Sequence, residues 1–335
     1  MTTSTAPSPP EPETPVVTAA ESRFGRTRSV EALRNYGILV FLTAMFVALS
    51  LASSNFLTAN NLKNVIEDAS SVGMIACAGT IVMIAGGFDL SAGSIFAATA
   101  VIAAKVSNAS GPELAVVVAV VAGCGMGLIN GVLTTYGRIN PFVGTLGTMI
   151  AYDGVAVALT GSGVLIINNS SFANIGNLDI LGFAISSWYL LIAALVCGFL
   201  LNRTVFGQHV FAAGGNRFAA LLSGVPINRT LMLTYVLSGC LAAIAGLSVA
   251  AQSLSVDPTG GDALIFQALA AIMIGGNSIW GGEGAIWRTI VGVFITTLIV
   301  NGFNLLGINP LYQQIANGVL ICVAVGTDTW VRRRA

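Results

Sequence analysis

The chain has 335 residues, 55% of them hydrophobic and only 8% charged, with a formal net charge of zero and a mean hydropathy of +0.85. Ordinary soluble domains carry about 25% charged residues, so a soluble fold could not cover its surface with the polar groups present. Without a basic excess, nothing here would hold nucleic acid. A bilayer-spanning helix takes about 20 apolar residues, which makes this an all-α polytopic membrane protein with about ten transmembrane helices.

Residues 1–32 differ from the rest: MTTSTAPSPPEPETPVV alone holds five of the ten prolines. Such a segment buries too little apolar surface to offset its ordering entropy and is expected to be a disordered cytoplasmic tail. It lacks the apolar core and small-residue cleavage site of a signal peptide. RFGRTR at 23–28 and Arg34 then precede a first apolar run that reads as an uncleaved signal anchor. The membrane-spanning body covers 33–330, and 331–335 form a basic cytoplasmic tail.

The apolar runs are 35–53, 65–85, 91–107, 113–136, 141–160, 187–202, 230–252, 264–280, 285–304 and 311–328. Asn140-Pro141 and Asn309-Pro310 look like helix starts, with Asn as cap and Pro at the first helical position. Short cytoplasmic loops collect Lys and Arg. With the N-terminus inside, the inner segments hold Arg23, Arg26, Arg28, Arg34, Arg138, Arg203, Arg217, Arg229, Arg288, Arg332, Arg333 and Arg334, and the outer side keeps only Lys63 and Lys105. Adding or losing one central span would invert every later loop, so the pattern favours ten spans with both termini inside.

Glycine is abundant at 39 residues. Close backbone approach through small residues drives helix association in lipid, and GCGMGLINGVL (123–133) reads as such a packing surface. Cys77, Cys124, Cys197, Cys240 and Cys322 all lie in apolar runs and read as small packing residues. No metal site is expected, and the single histidine, His209, excludes any mechanism that needs a His pair. IVMIAGGFDLSAGS (81–94) and AIMIGGNSIWGGEGA (271–285) echo one another, each ending an apolar run in a Gly-rich inner turn.

Two absences bear on function. There is no G-x-x-x-x-G-K-[ST] loop, so any ATP-driven work falls to another chain and no cofactor is expected on this one. Asp153 is the only acid well inside an expected span, whereas ion-coupled carriers place several ionisable groups there. The segment 203–229, RTVFGQHVFAAGGNRFAALLSGVPINR, is too polar to span. Asn216 can cap a short helix in it and Gly224 with Pro226 can end it. Phe218, Leu221, Leu222 and Val225 form one apolar stripe, suited either to a groove on a partner or to the lipid interface. In GGFDLSAG (86–93), Asp89 or Ser91 can cap the next helix. Polar residues within runs include Asn130, Tyr152, Asp153, Gln267, Asn301, Asn304, Gln313 and Gln314. Some must bridge helices, and the rest would line a route for a hydroxyl-rich solute. Asn130, Tyr152, Asp153, Asn301, Asn304 and Gln313 are the pathway candidates.

From about 35 to 328 the chain resembles the membrane-spanning permease subunits of ribose-type bacterial ABC importers. GGFDLSAGS is similar to that family's signature turn through Gly86, Gly87, Asp89 and Ser91. INPFVGTLGTM (139–149) resembles its Pro-Phe…Thr-Leu-Gly-Thr block. FAAGGNRFAALLSGV (211–225) resembles its cytoplasmic coupling segment through Gly215, Asn216, Ala219, Ala220, Ser223 and Gly224; Phe218 and Leu222 supply the apolar contact. YVLSGCLAAIAGL (235–247), IGG with GG-x-G (274–284), and NGFNLLG with YQQI (301–315) complete six blocks in order. The resemblance implies a homodimer in the bacterial inner membrane, cytoplasmic ABC ATPase subunits that hold ATP and Mg, and an extracytoplasmic solute-binding protein received on the 161–186 loop. Its substrates would be monosaccharides or related polyols.

Departures from the family pattern are Asp153 where Arg is common, Glu283 where Arg or Lys is common, Asn317 for a Lys, and a bulky Trp280. Asp153 is either a selectivity residue or a helix-pairing carboxylate. The expected function is therefore an importer permease and not an enzyme. The alternative is a stand-alone proton-coupled carrier using Asp153; a membrane-embedded enzyme is disfavoured because no His, Cys or carboxylate cluster shares a face.

Overall fold

A computed structural model describes residues 36–309 and, past them, Leu311, Tyr312, Ile315, Gly318, Val319, Cys322 and Gly326. The expected tails 1–32 and 331–335, Gln313, Gln314, Asn317 and most of the run 311–328 lie outside the described residues.

The helices follow in order: α1 (Tyr36–Ala52), α2 (Ala59–Ile84), α3 (Ala92–Ser110), α4 (Pro112–Thr135), α5 (Pro141–Thr160), a four-residue α6 (Asn174–Asn177), α7 (Ile185–Arg203), α8 (Val205–Gly215), α9 (Arg217–Leu222), α10 (Ile227–Ser253), α11 (Gly261–Ile274) and α12 (Ile286–Leu305). Seven of them, α2, α3, α4, α5, α7, α10 and α12, are long and apolar enough to cross a membrane; α1 and α11 are apolar but shorter.

Most ends fall where the residues direct them. Asn140 caps α5 by accepting from the Phe142 and Val143 N–H groups at 3.0 and 3.4 Å, with Pro141 in the first turn. Asn309 accepts from the Leu311 N–H at 3.0 Å. Two boundaries differ from expectation. α2 starts at Ala59, not 65, because Thr58 caps it through the Asn61 N–H, and this places Glu67 and Asp68 within the helix. α11 ends at Ile274, not 280: apolar residues continue past it, but Gly275 and Gly276 stop the helix.

Windows of α2 and α3 are 72% buried and those of α10 and α12 61%, whereas α4, α5 and α7 reach only 28%, 22% and 28%. The first group, with α11, forms the core. α4 is held to α10 by a stripe of glycines at i, i+4 and i+8. A Cβ on Gly123 would stand 2.6 Å from the Ala243 Cβ, and one on Gly131 would stand 3.0 Å from the Met232 Cα. GCGMGLINGVL is thus the packing surface its composition implied.

Between α5 and α7 lie β1 (Leu165–Ile166), a 3-10 turn (Ser170–Ala173), α6, β2 (Asp179–Ile180) and β3 (Phe183–Ala184). β1 pairs antiparallel with β4 (Ser255–Val256), which follows α10, and β2 with β3. Asn108 ties the segment to α3, donating to the Ile166 carbonyl and accepting from the Asn168 N–H.

Candidate functional site

Ala85 follows α2 as its C-cap, and the chain reverses at Gly86 with φ +79°, a conformation that favours glycine. The Gly86 N–H donates to the Met83 carbonyl and the Gly87 N–H to Val82, both at 2.9 Å. This nested pair of bonds ends a helix tightly. The turn then enters the protein. Asp89 is buried, and its Oδ1 accepts from the Ser91 N–H (3.0 Å) and the Ser91 hydroxyl (2.7 Å) while Oδ2 accepts from the Ser238 hydroxyl of α10 (2.7 Å). Ser91 itself accepts from the Asn130 amide of α4 at 2.6 Å. Tyr235 of α10 donates to the Phe88 carbonyl and accepts from its N–H, and the Thr145 hydroxyl of α5 donates to the Phe88 carbonyl and accepts from the Leu90 N–H. Ser91 occupies the cap position of α3 without a capping bond from its side chain. Asp89 instead joins three helices to the turn.

The second turn opens the same way. Gly276 has φ +68°, its N–H donates to Met273 at 2.8 Å, and the Asn277 N–H donates to Ile272 at 3.3 Å. Residue for residue, Met83-Ile84-Ala85-Gly86-Gly87 matches Met273-Ile274-Gly275-Gly276-Asn277, so the sequence echo is a structural one. Thereafter the turns diverge. Asn277 donates to the Ile272 carbonyl and the Thr289 hydroxyl and accepts from the Ala285 N–H. The Thr289 hydroxyl lies 2.7 Å from that of Thr80, which links α12 to α2.

The 203–229 segment folds as two helices, one more than expected. Thr204 caps α8 through the Gly207 N–H. Asn216 ends α8 and caps α9, accepting from the Ala219 N–H at 3.0 Å. Gly224, with φ +78°, ends α9 as its position predicted. Ala220 is buried, whereas Phe218, Leu221 and Leu222 are 72%, 60% and 74% exposed. Leu221 and Phe218, together with Arg217, face a cavity of about 680 Å³ whose other walls include Arg138, Thr134, Tyr235 and Gly86.

The three segments meet at glycines. The Gly282 N–H donates to the Ile84 carbonyl at 2.8 Å, joining the second turn to the end of α2. Gly214 of α8 lies on that bond: a Cβ there would collide with the Ile84 carbonyl oxygen and stand 2.6 Å from the Gly282 nitrogen. Five of the six blocks read from the sequence therefore converge on one place, through Asp89, Thr145, Gly214, Tyr235 with Ser238, and Asn277. Sequence reasoning placed Thr145, Gly214, Tyr235, Ser238 and Asn277 inside quoted blocks without giving them a role.

Among the described residues, the pathway candidates Asn130, Tyr152, Asp153, Asn301 and Asn304 do not converge. Asn130 belongs to the Asp89 network. Tyr152 donates to the Met126 carbonyl, tying α5 to α4. Asn301 forms a reciprocal amide pair with Asn61 at 2.8 and 3.2 Å, tying α12 to α2. Asn304 is exposed near the end of α12, and Asp153 is half-buried on α5. Among the described residues no group of three His, Cys, Asp or Glu side chains is placed to hold a metal ion.

Comparison with known proteins gives a family match over residues 61–325, to the branched-chain amino acid transport system permease component model. The ribose import permease protein of Bacillus subtilis (strain 168) is 33% identical over 299 residues, covering 88% of this chain and 93% of the relative. Its counterpart in Escherichia coli (strain K12) is 35% identical over 300 residues, covering 87% and 92%. The L-arabinose ABC transporter permease protein of Azospirillum brasilense is 32% identical over 305 residues, covering 91% and 90%. No solved structure gives a significant match.

Proposed function

The chain belongs to the family of branched-chain amino acid transport system permease components, and on that premise we propose that it is the membrane-spanning subunit of an ATP-binding-cassette importer for a monosaccharide or related polyol. It is a multi-pass protein of the bacterial inner membrane and a transport subunit, not itself an enzyme. In this reading two copies form the pathway, each with ten spans and both termini in the cytoplasm. ABC ATPase subunits, which hold the ATP and Mg, dock on α9. An extracytoplasmic solute-binding protein delivers the sugar to the 161–186 side.

The observation that carries the proposal is α9 itself. A capped six-residue helix presenting Phe218, Leu221 and Leu222 outward exposes apolar surface that needs a cover, and the relatives named above are permeases for ribose and L-arabinose. The transported sugar undergoes no covalent change. Energy reaches the pathway as differential binding of nucleotide and binding protein to two conformations, the only means by which ligands move such an equilibrium.

The test is to tag the chain, extract it gently from its native membrane and identify what co-purifies. A P-loop ATPase is expected with the unmodified chain and is lost with Phe218→Asp or Leu222→Asp, while the chain still elutes as a folded species. The competing reading, a proton-coupled carrier, draws on Asp153, a half-buried carboxyl within α5. It would be favoured if the chain came out alone and still accumulated sugar down an imposed proton gradient.

A further inference from the structure

We propose that Gly214 is the positioning residue through which movement of α9 reaches both glycine turns, so that the ends of α2 and α11 shift together with the coupling segment. The inference rests on the importer reading and adds to it a specific route. α9 is joined to α8 by the single extended residue Asn216, and α8 ends at Gly215, one residue after its close approach at Gly214. At that approach there are no side chains. The backbone of Gly214 lies on the Gly282-to-Ile84 hydrogen bond, a Cβ on Gly281 would stand 3.1 Å from both the Gly214 Cα and the Gly86 Cα, and a Cβ on Gly282 would stand 2.6 Å from the Gly215 Cα.

The mechanical consequence follows from the absence of side chains. A contact made by a long side chain absorbs small displacements by changing rotamer, since such changes are cheap and fast. A contact between two backbones cannot. Pushing α8 towards the junction must either carry the Ile84 and Gly282 backbones along or break the bond between them. The two turns in turn hold the elements that matter: the first carries Asp89, which binds α3 and α10 and, through Ser91, α4, and the second carries Asn277, which binds α12. Gly86 also borders the 680 Å³ cavity beside α9. A push on α9 therefore reaches the cavity and the helices α3, α4, α10 and α12 through one backbone junction.

The experiment uses the complex of the full chain with its co-purifying ATPase and measures hydrogen–deuterium exchange without nucleotide and with ATP plus vanadate. In the unmodified chain, peptides covering 79–90 and 276–285 are expected to change exchange together with the peptide covering 211–225. In Gly214→Ala, where the methyl wedges the junction open, the change persists in 211–225 and is lost at both turns, with the ATPase still bound and hydrolysing ATP. Gly198→Ala in α7, where an added methyl meets nothing within 4 Å, should behave as the unmodified chain. Turns that do not respond in the unmodified complex would overturn the proposal, and that arm decides the matter even if Gly214→Ala fails to fold. Turns that respond equally in folded Gly214→Ala would overturn it too. Failure of the importer reading is seen separately, as the absence of any P-loop ATPase in the purified material.

Discussion

The turns after α2 and α11 begin with the same five backbone positions and the same nested hydrogen bonds, yet they are secured by different chemistry. The first hangs on a buried carboxyl that accepts three hydrogen bonds and on two hydroxyl-bearing residues, Tyr235 and Thr145, reaching in from α10 and α5. The second uses the amide of Asn277, which bonds to the end of α11, to Ala285 and to α12, together with backbone bonds such as Ser278 N–H to Glu283 and Gly282 N–H to Ile84. A shared local motif fixes where each helix stops. What each turn then organises is set by a residue three positions on from the reversal in one case and one position on in the other.

That contrast has measurable consequences. Asp89→Ala should be the most damaging change, because it strands the Ser91 and Ser238 donors in the interior at about 1–3 kcal/mol each. Asn277→Ala removes only neutral bonds and should cost about 1–2 kcal/mol. Loss of the monodisperse peak on size-exclusion after graded heating would rank them, and a reversed order would break the comparison. Gly86→Ala and Gly276→Ala test the shared half: each forces a positive φ on alanine and should cost about 1–2 kcal/mol. At Gly86 the nearest atom to an added methyl is 3.6 Å away, so backbone strain is the whole cost there.

Outside the turns, Asn61→Ala, Asn301→Ala and the double variant should show a coupling of about 0.5–2 kcal/mol in the same heating assay, with sugar preference unchanged. A changed preference without coupling would return Asn301 to the pathway. The smallest effect is expected at Asp257, between α10 and α11, whose carboxyl is held below its ordinary value by hydrogen bonds from the Thr259 N–H and hydroxyl. A depressed value stabilises the folded state above the ordinary carboxylate range, and the gain is lost as pH falls through the lowered value. Asp257→Asn should therefore narrow the gap in heat resistance between neutral and acidic pH slightly, and a widened gap would contradict the assignment.

Much of the fold was legible because helices in lipid announce themselves by length and apolarity, and because Asn140-Pro141, Asn216 and Gly224 carry their cap chemistry locally. The end of α11 was misjudged since Ile279 and Trp280 prolong the apolar run beyond the glycines that stop the helix. α8 was missed as a helix, its three glycines and the polar residues flanking it masking eleven helical residues. The site was legible only as separate blocks. Asn301 pairs with a residue 240 positions away, and nothing in a single sequence distinguishes Gly214, whose Cβ has no room, from Gly215, whose nearest neighbour would be 3.9 Å away. Close approach is a property of the partner backbone, which the local sequence does not encode.

The central claim, that this chain moves a sugar with energy supplied by a partner ATPase through α9, is tested most directly by uptake in proteoliposomes containing the co-purified complex and its binding protein, with D-ribose and L-arabinose as probes. The account predicts accumulation that requires ATP on the side of α9, is indifferent to an imposed proton gradient, and is abolished by Phe218→Asp. Accumulation driven by the proton gradient without ATP, and abolished by Asp153→Asn, would contradict it.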